Sequence, residues 1–320
     1  MYVFSHASLL GWFDGAQLVR GTFERGYHRF WHPDGGYVFT ITPKGDISDA
    51  TRYAYEQAFA LLGYAWFYRL TADPRAITLA EELWAWLLGR LGRKERGGFA
   101  LAAPASGSLS QNPHMHLLEA CLNWYEASGD AVWLGRAGKL FALFENHFFD
   151  AENRVLREFF TNDWRAQGVD AERIYPGHQV EWIWLINRYG ALSGNQITKY
   201  TPALYEFATR LGRNSTTGLL YEEVNPKGRL ITSGSRLWSQ TELLKAQVVL
   251  YEHDPSASAA EQIKRTVDNI FTYHIDPAGA GLWMDEVDAT GKGVSRDVPA
   301  STFYHLFLAF VEVNRICNIP

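Results

Sequence analysis

Cysteine is nearly absent: Cys121 and Cys317 are the only two in 320 residues, too few for a disulfide framework and spaced for no zinc site. Both are expected to be buried free thiols. Also missing is any run of about 18 apolar residues that could cross a bilayer. The net charge of -5 leaves no basic stripe for nucleic acid. Neither a membrane nor a nucleic acid is therefore an expected partner. The first 15 residues carry no basic segment and reach Asp14 early, unlike a secretory signal, so a cytoplasmic location is expected. No low-complexity linker breaks the chain, and a single domain, 1–320, is expected. There is no Gly-rich phosphate loop, dinucleotide fingerprint, Gly-x-Ser-x-Gly elbow or kinase set. Any chemistry must come from histidines and carboxylates.

What is abundant is aromatic: 12 Trp, 16 Tyr and 19 Phe make up 15% of the chain. Such residues serve either a large core or a sugar site, where a C–H face stacks on a ring. A repeat organises them. Gly35-Gly36-Tyr37 through Pro43-Lys44-Gly45 lines up with Gly218-Leu219-Leu220 through Pro226-Lys227-Gly228, and again with Gly281-Leu282-Trp283 through Gly291. Gly97-Gly98-Phe99 opens a diverged copy, and Asn153-Arg154-Val155-Leu156 is the weakest match. Successive marks lie about 60 residues apart, and each copy reads as a short hairpin around a Gly turn. Between them, apolar residues at three- and four-residue steps predict helices over 53–70, 74–91, 113–127, 131–147, 181–189, 237–251 and 302–314. Units of two helices and a hairpin bury their apolar faces on one another, as a solenoid or a ring. The inserted hairpins favour a closed barrel of helix pairs.

Of the ten histidines, His6, His28, His32, His147, His253 and His274 lack motif context and are expected on the surface or in packing. Three others recur near helix starts. In Gln111-Asn112-Pro113-His114-Met115-His116, Asn112 reads as the N-cap and Pro113 as the first helical residue, with His116 one turn in. In Pro299-Ala300-Ser301-Thr302-Phe303-Tyr304-His305, Ser301 can cap and His305 follows by four. In Tyr175-Pro176-Gly177-His178, Pro-Gly ends the preceding segment and His178 stands before the next helix. The partial positive charge of a helix start favours a neutral imidazole, the form a base needs. Glu119 and Glu181 follow His116 and His178 by three residues, so each pair shares a helix face and the carboxylate could orient its imidazole or meet a substrate hydroxyl. A capped helix also carries histidines that merely hydrogen-bond in the core. His114 and His116 look like a metal-ligand pair, but residues two apart on a helix diverge by about 200°. No metal site is expected. Arg236-Leu237-Trp238 through Glu242 sets an Arg, a Trp and a Glu at another helix start, where Trp238 either stacks on a sugar or packs between helices.

In Asn112 to Ala120, Pro176-Gly177-His178 through Glu181-Trp182, Arg236-Leu237-Trp238 through Glu242 and Pro299 through His305, the chain resembles the N-acylglucosamine 2-epimerase superfamily, particularly its bacterial mannose isomerase and mannose-6-phosphate isomerase-like members. The resemblance spans essentially the whole chain. It implies an all-α fold, an α/α six-barrel of helix pairs with short β-hairpin insertions, and aldose isomerisation or epimerisation with no metal or redox cofactor. It implies His178 and His305 as the acid/base pair and His116 as a third imidazole. Tyr55, Asn112, Met115, Glu119, Glu181, Trp238 and Glu242 are implied as substrate-binding positions. The family's early Ala-Arg-Gln motif would fall upstream of Met1, which implies a chain shorter than the family by one or two helices.

Abstraction of the C2 proton from an aldose needs an open ring and a C1 oxygen that can accept charge as an enediolate, tasks suited to paired imidazoles. Proton return to C1 gives a ketose; return to the other face of C2 gives an epimer. Isomerisation of a mannose-like aldose through a cis-enediolate is the expected reaction, with sugar 2-epimerisation as its neighbour. A glycoside hydrolase, which would need a flanking carboxylate pair, or a non-catalytic sugar-binding relic are the readings of another class. The expected partner is a small sugar, with a homodimer possible, and the lack of an Arg/Lys cluster beside the motifs favours a free over a phosphorylated one.

Overall fold

Paired helices alternate with tight Gly turns along the computed structural model, which describes residues 1–104 and 107–317. The side chains of Tyr27 and His28 lie outside the described residues, and with them the expectation for His28. The chain groups into two units, 1–148 with 159–167 and 149–158 with 168–320. The first holds α1 (Tyr2–Leu9), α2 (Ala16–Phe30), α3 (Ala54–Thr71), α4 (Arg75–Arg90), α5 (Asn112–Ser128) and α6 (Ala131–Leu143). The second holds α7 (Pro176–Ser193), α8 (Thr201–Glu206), α9 (Leu237–His253), α10 (Ala257–Ile270) and α11 (Thr302–Cys317). No described helix is long and apolar enough to cross a membrane.

Within each unit one class of helix is buried on nearly every face and the other on one stripe. In the first unit α3 packs along α5; in the second α7 packs along α9, and α9 along α11. α5 is buried continuously from Pro113 to Trp124, and α9 from Ser239 to Val249. By contrast α10 buries only Ile263, Thr266 and Ile270. In both α10 and α2 the apolar stripe is one-sided but set among mostly polar residues, so neither helix stands out by apolar content. The repeat shows again where α6, α8 and α10 give way to π-turns opening on Phe144, Phe207 and Phe271. Many of the large aromatics serve the core: Trp124, Trp133, Trp182, Phe67, Phe144 and Phe148 are fully buried. Cys121 is buried as expected, whereas Cys317 is exposed at the end of α11, where the helix turns a polar face outward.

The hairpins are real but minimal. Thr40–Ile41 pairs with Ile47–Asp49 around Pro43-Lys44-Gly45, and Glu223–Val224 pairs with Leu230–Thr232 around Pro226-Lys227-Gly228. Even the weakest repeat mark forms one, Phe149–Asp150 with Val155–Leu156. What fixes them to the helices is a side-chain clamp. Gln57 on α3 accepts from the Tyr37 N–H at 2.7 Å and donates to its carbonyl at 3.0 Å. Gln179 on α7 does the same to Leu156 at 2.8 and 3.1 Å, and Gln240 on α9 to Leu220 at 2.9 and 3.2 Å. Each amide is buried, so each satisfies backbone groups that would otherwise be buried at a cost of about 1–3 kcal/mol apiece.

In α5 the clamp is His114. Its Nε2 accepts from the Phe99 N–H at 2.9 Å, and its Nδ1–H donates to the Ser110 carbonyl at 2.9 Å, which fixes a neutral tautomer. Gly98, with φ +72°, permits this approach: a Cβ there would sit 2.7 Å from Nε2. Burial, with Arg93 nearby, lowers the His114 pKa from 6.5 to about 4, against a smaller upward pull from the Ser110 carbonyl. Because the unfolded state binds the proton more tightly, this group's contribution is full above pH 6.5 and is lost as pH falls toward 4, a change of about 3 kcal/mol. Since glutamine fills the same role in the other clamps, His114→Gln is expected to fold and to lose that acid-sensitive component. Urea unfolding of both proteins at pH 7 and pH 4.5 checks this; equal losses of stability in the two would contradict it.

Candidate active site

Helix starts carry the candidate groups, but with local geometry that differs from expectation. α5 begins at Asn112 after Gln111, and no side-chain cap is made there; the Asn112 N–H is held by Ser110 Oγ at 3.2 Å. Pro176 and Gly177 end the preceding segment by opening a helix: they are the first two residues of α7, which begins five residues before the expected helix. Proline is tolerated there because a first-turn N–H has no intrahelical acceptor. Gly177 has a packing reason, since a Cβ on it would lie 2.6 Å from the far edge of the Trp238 ring and 2.7 Å from Ser239 Oγ.

In the second unit two imidazoles meet that ring. His178 lies 5.0 Å from Trp238 and His305 lies 5.8 Å from it, centroid to centroid. Each Nδ1–H donates to a buried carboxylate: His178 to Glu158 Oε2 at 2.8 Å and His305 to Glu242 Oε1 at 2.7 Å. These partners assign the proton to Nδ1 and leave Nε2 as the basic nitrogen of both rings. The Nδ1 partner of His178 is Glu158, on the loop after Val155–Leu156, while Glu181, three residues on along α7, joins Glu242 and His305 with ligand atoms all within 4.8 Å. Glu158 was missed because its pairing is tertiary, and only its position two residues after a repeat mark hinted at it.

A second missed residue is Lys245. Fully buried, its ammonium lies 2.7 Å from Glu242 Oε2 and 4.5 Å from the Trp184 ring, a charge contact with a cation–π face. Burial would raise the Glu242 carboxyl, but Lys245 and His305 together outweigh it and hold the group below its ordinary range. The spacing Glu242-x-x-Lys245 was the legible signal, an i,i+3 ion pair on α9. Tyr175, beside His178, bonds to Arg173 at 2.7 Å, and burial followed by the nearby Glu223 pushes its phenol upward.

The first unit holds its own cluster. His116 Nδ1 faces Glu119 Oε2 at 3.4 Å, as the i,i+3 spacing implied, with Tyr55 at 5.0 Å and Phe59 at 4.8 Å walling the ring. His114 and His116 do diverge, one to the hairpin and one to Glu119. Met115 is fully buried. The clamp sets a common register: Phe59, His116, Glu181 and Glu242 each stand two residues beyond Gln57, His114, Gln179 and Gln240.

The profile of the N-acylglucosamine 2-epimerase family matches residues 1–309. The chain belongs to that family. It is 31% identical to the mannose-6-phosphate isomerase of Rhizobium meliloti (strain 1021), over 98% of this chain and 83% of that protein. It is 24% identical to the cellobiose 2-epimerase of Bacteroides fragilis, over 84% of this chain and 72% of that one. A crystal structure of D-mannose isomerase matches with a TM-score of 0.85 at 22% identity, covering 98% of this chain and 84% of that chain. That likeness carries the fold the sequence led us to expect, all-α and of the α/α-barrel type with hairpin insertions.

In this N-acylglucosamine 2-epimerase family member, Glu181, Glu242 and His305 are the described residues that could converge on a metal ion. The donor set fits one poorly. Glu242 already neutralises the Lys245 ammonium with one oxygen and accepts from His305 with the other. A divalent ion would have to sit beside a buried like charge. Gly177→Ala is expected to destabilise the protein by about 1–3 kcal/mol despite alanine's better helix propensity, because the methyl overpacks against Trp238; urea unfolding of the two proteins checks it, and an equal or greater stability would contradict the packing. Sugar turnover is expected to survive exhaustive EDTA treatment unchanged, and loss with rescue by one divalent ion would overturn the charge assignment.

Proposed function

We propose that this chain is an aldose–ketose isomerase acting on a mannose-like sugar through a cis-enediolate, without metal or redox cofactor. The observation that carries the reading is the pair of imidazoles on the Trp238 ring, each with Nδ1 tied to a buried carboxylate and Nε2 left basic. Membership of a family whose named relatives include sugar isomerases and 2-epimerases supports an enzyme of this class.

In the proposed reaction Trp238 stacks on a C–H face of the sugar. His178, acting through Nε2, carries a proton between the anomeric hydroxyl and the ring oxygen, which opens the ring. His305 then removes the C2 proton, the electron pair moves to the C1–C2 bond, and the carbonyl oxygen becomes the enediolate oxygen. Proton transfers of this kind are each worth about 10² to 10⁴ in rate. The imidazolium formed on His305 keeps its Nδ1–H bond to Glu242, which holds the ring in place through the transfer. Passage of the O2–H proton to O1 moves the enediolate charge to O2, and delivery of the C2 proton from His305 to C1 then closes the C2 carbonyl and yields the ketose. Glu181, beside His305, is proposed to bond a sugar hydroxyl, and in the first unit His116, with Glu119 and Tyr55, is proposed to contribute to sugar recognition.

Epimerisation uses the same residues, with His178 returning the proton to the opposite face of C2, and the likeness to a cellobiose 2-epimerase favours it as the second reading. The hydrolase reading is disfavoured. Glu181 and Glu242 are close enough to suggest a carboxylate pair, but Glu242 is held ionised by Lys245 and His305 and serves neither as acid nor as free nucleophile.

His305→Asn is expected to remain folded and to abolish C2 proton exchange of mannose in D₂O followed by NMR. Full exchange in the folded variant would reject the assignment. His178→Asn is expected to slow cyclic substrates at least tenfold more than open-chain analogues, and equal losses on both would move His178 to the C2 chemistry.

A further inference from the structure

We infer that Lys245 is a positioning residue for the isomerisation, and that its buried ammonium keeps His305 a neutral base by cancelling the charge of Glu242. The inference rests on the reading of His305 as the C2 base and goes beyond it, to what sets the working pH of that base.

Three groups form one buried line. Lys245 Nζ lies 2.7 Å from Glu242 Oε2, and Glu242 Oε1 lies 2.7 Å from His305 Nδ1. Lys245 and Glu242 are shut away from water, while His305 keeps a small exposed part. Lysine and glutamate together carry no net charge, so the histidine sees a dipole and an acceptor for its Nδ1–H. Remove the ammonium and the carboxylate stands unbalanced, with His305 the nearest group able to take a proton. That proton would sit on Nε2, the atom needed to accept from C2. The base would be spent before the sugar arrived.

Other charged and titratable groups surround the line. From α7 come Glu181, which adds negative charge beside His305, Arg188, whose guanidinium lies 5.3 Å from the Trp184 ring that Lys245 also meets, and, beyond the Trp238 ring, His178 with its own partner Glu158. α11 offers Tyr304 against the His305 ring, a neutral neighbour. Trp184 of α7 gives Lys245 a π face, which suits a retained ammonium in a site without water. The positive charge facing Glu242 from within α9 is Lys245, one turn on along the same helix.

The test has two arms. On the wild-type protein, ¹⁵N NMR of labelled lysine and histidine is expected to show the Lys245 nitrogen as ammonium, and the His305 proton on Nδ1, throughout the pH range of activity. In Lys245→Met the acid limb of kcat/KM is expected to move up by about one pH unit or more, as an opposite charge at this distance dictates. Glu242→Gln combined with Lys245→Met removes both charges while leaving an acceptor for Nδ1–H, and is expected to return the limb to its wild-type position. A residue with a purely structural role would lower the rate without moving the limb, and that outcome, or a Lys245 nitrogen that is neutral in the active range, overturns the proposal. Should the variants fail to fold, the wild-type spectra alone decide. Should the wild-type protein exchange no sugar proton, the reading of His305 as base fails, and the same spectra still report whether Lys245 holds the charge line.

Discussion

The amide clamp between helix start and hairpin is the interaction on which the rest depends. A two-residue strand pair has too few ladder bonds to persist alone, yet Tyr37, Phe99, Leu156 and Leu220 are each tied to the first turn of a helix by a buried Gln or His. Fixing that turn also aims the side chains just beyond the clamp. The residue two positions on is His116, Glu181 or Glu242 in three of the four cases, so one structural bond repeated along the chain sets the direction of the groups of the candidate site. The residue that secures the backbone is buried and carries no charge, and its near neighbour is a titratable group held in a fixed direction. His114 and His116 make the contrast within three residues.

Charge balance is the second constraint. Burying Glu242 is costly by itself, and the structure offsets the cost with a buried lysine on one oxygen and an imidazole on the other. His178 receives a comparable carboxylate, Glu158, from a loop. Two imidazoles thereby acquire different surroundings, one backed by a neutral ion pair and one by a carboxylate, an asymmetry that suits the proposed division of labour.

Much of this was legible in the sequence, and what was not has identifiable causes. Repeat marks at Gly35, Gly97, Gly218 and Gly281 pointed to helix pairs with hairpins because Gly turns and aromatic residues recur at a fixed interval, and the hairpins stand where Pro-Lys-Gly put them. α2 and α10 were passed over although their apolar stripes are one-sided, because most of their residues are polar and few large apolar groups mark the stripe. Pro176-Gly177 looked like a breaker because the glycine's reason lies on another helix, in the Trp238 ring. Spacing found the His116–Glu119 pair, which is local, and could not find Glu158, the Nδ1 partner of His178, because it is twenty residues away in sequence. Lys245 could have been found from spacing, but a lysine three residues from a glutamate reads as a solvated surface pair until burial is known.

The central claim is that a carbon-bound proton at C2 of a sugar is moved by His305. The most direct measurement traces deuterium from 2-deuterated mannose during turnover by the wild-type protein in ordinary water. If an imidazole carries the proton through a cis-enediolate, the label leaves C2 with a primary isotope effect, appears in part at C1 of the ketose, and is lost in part to solvent. Retention of every label at C2 while the sugar binds or an oligosaccharide is cleaved would contradict the claim.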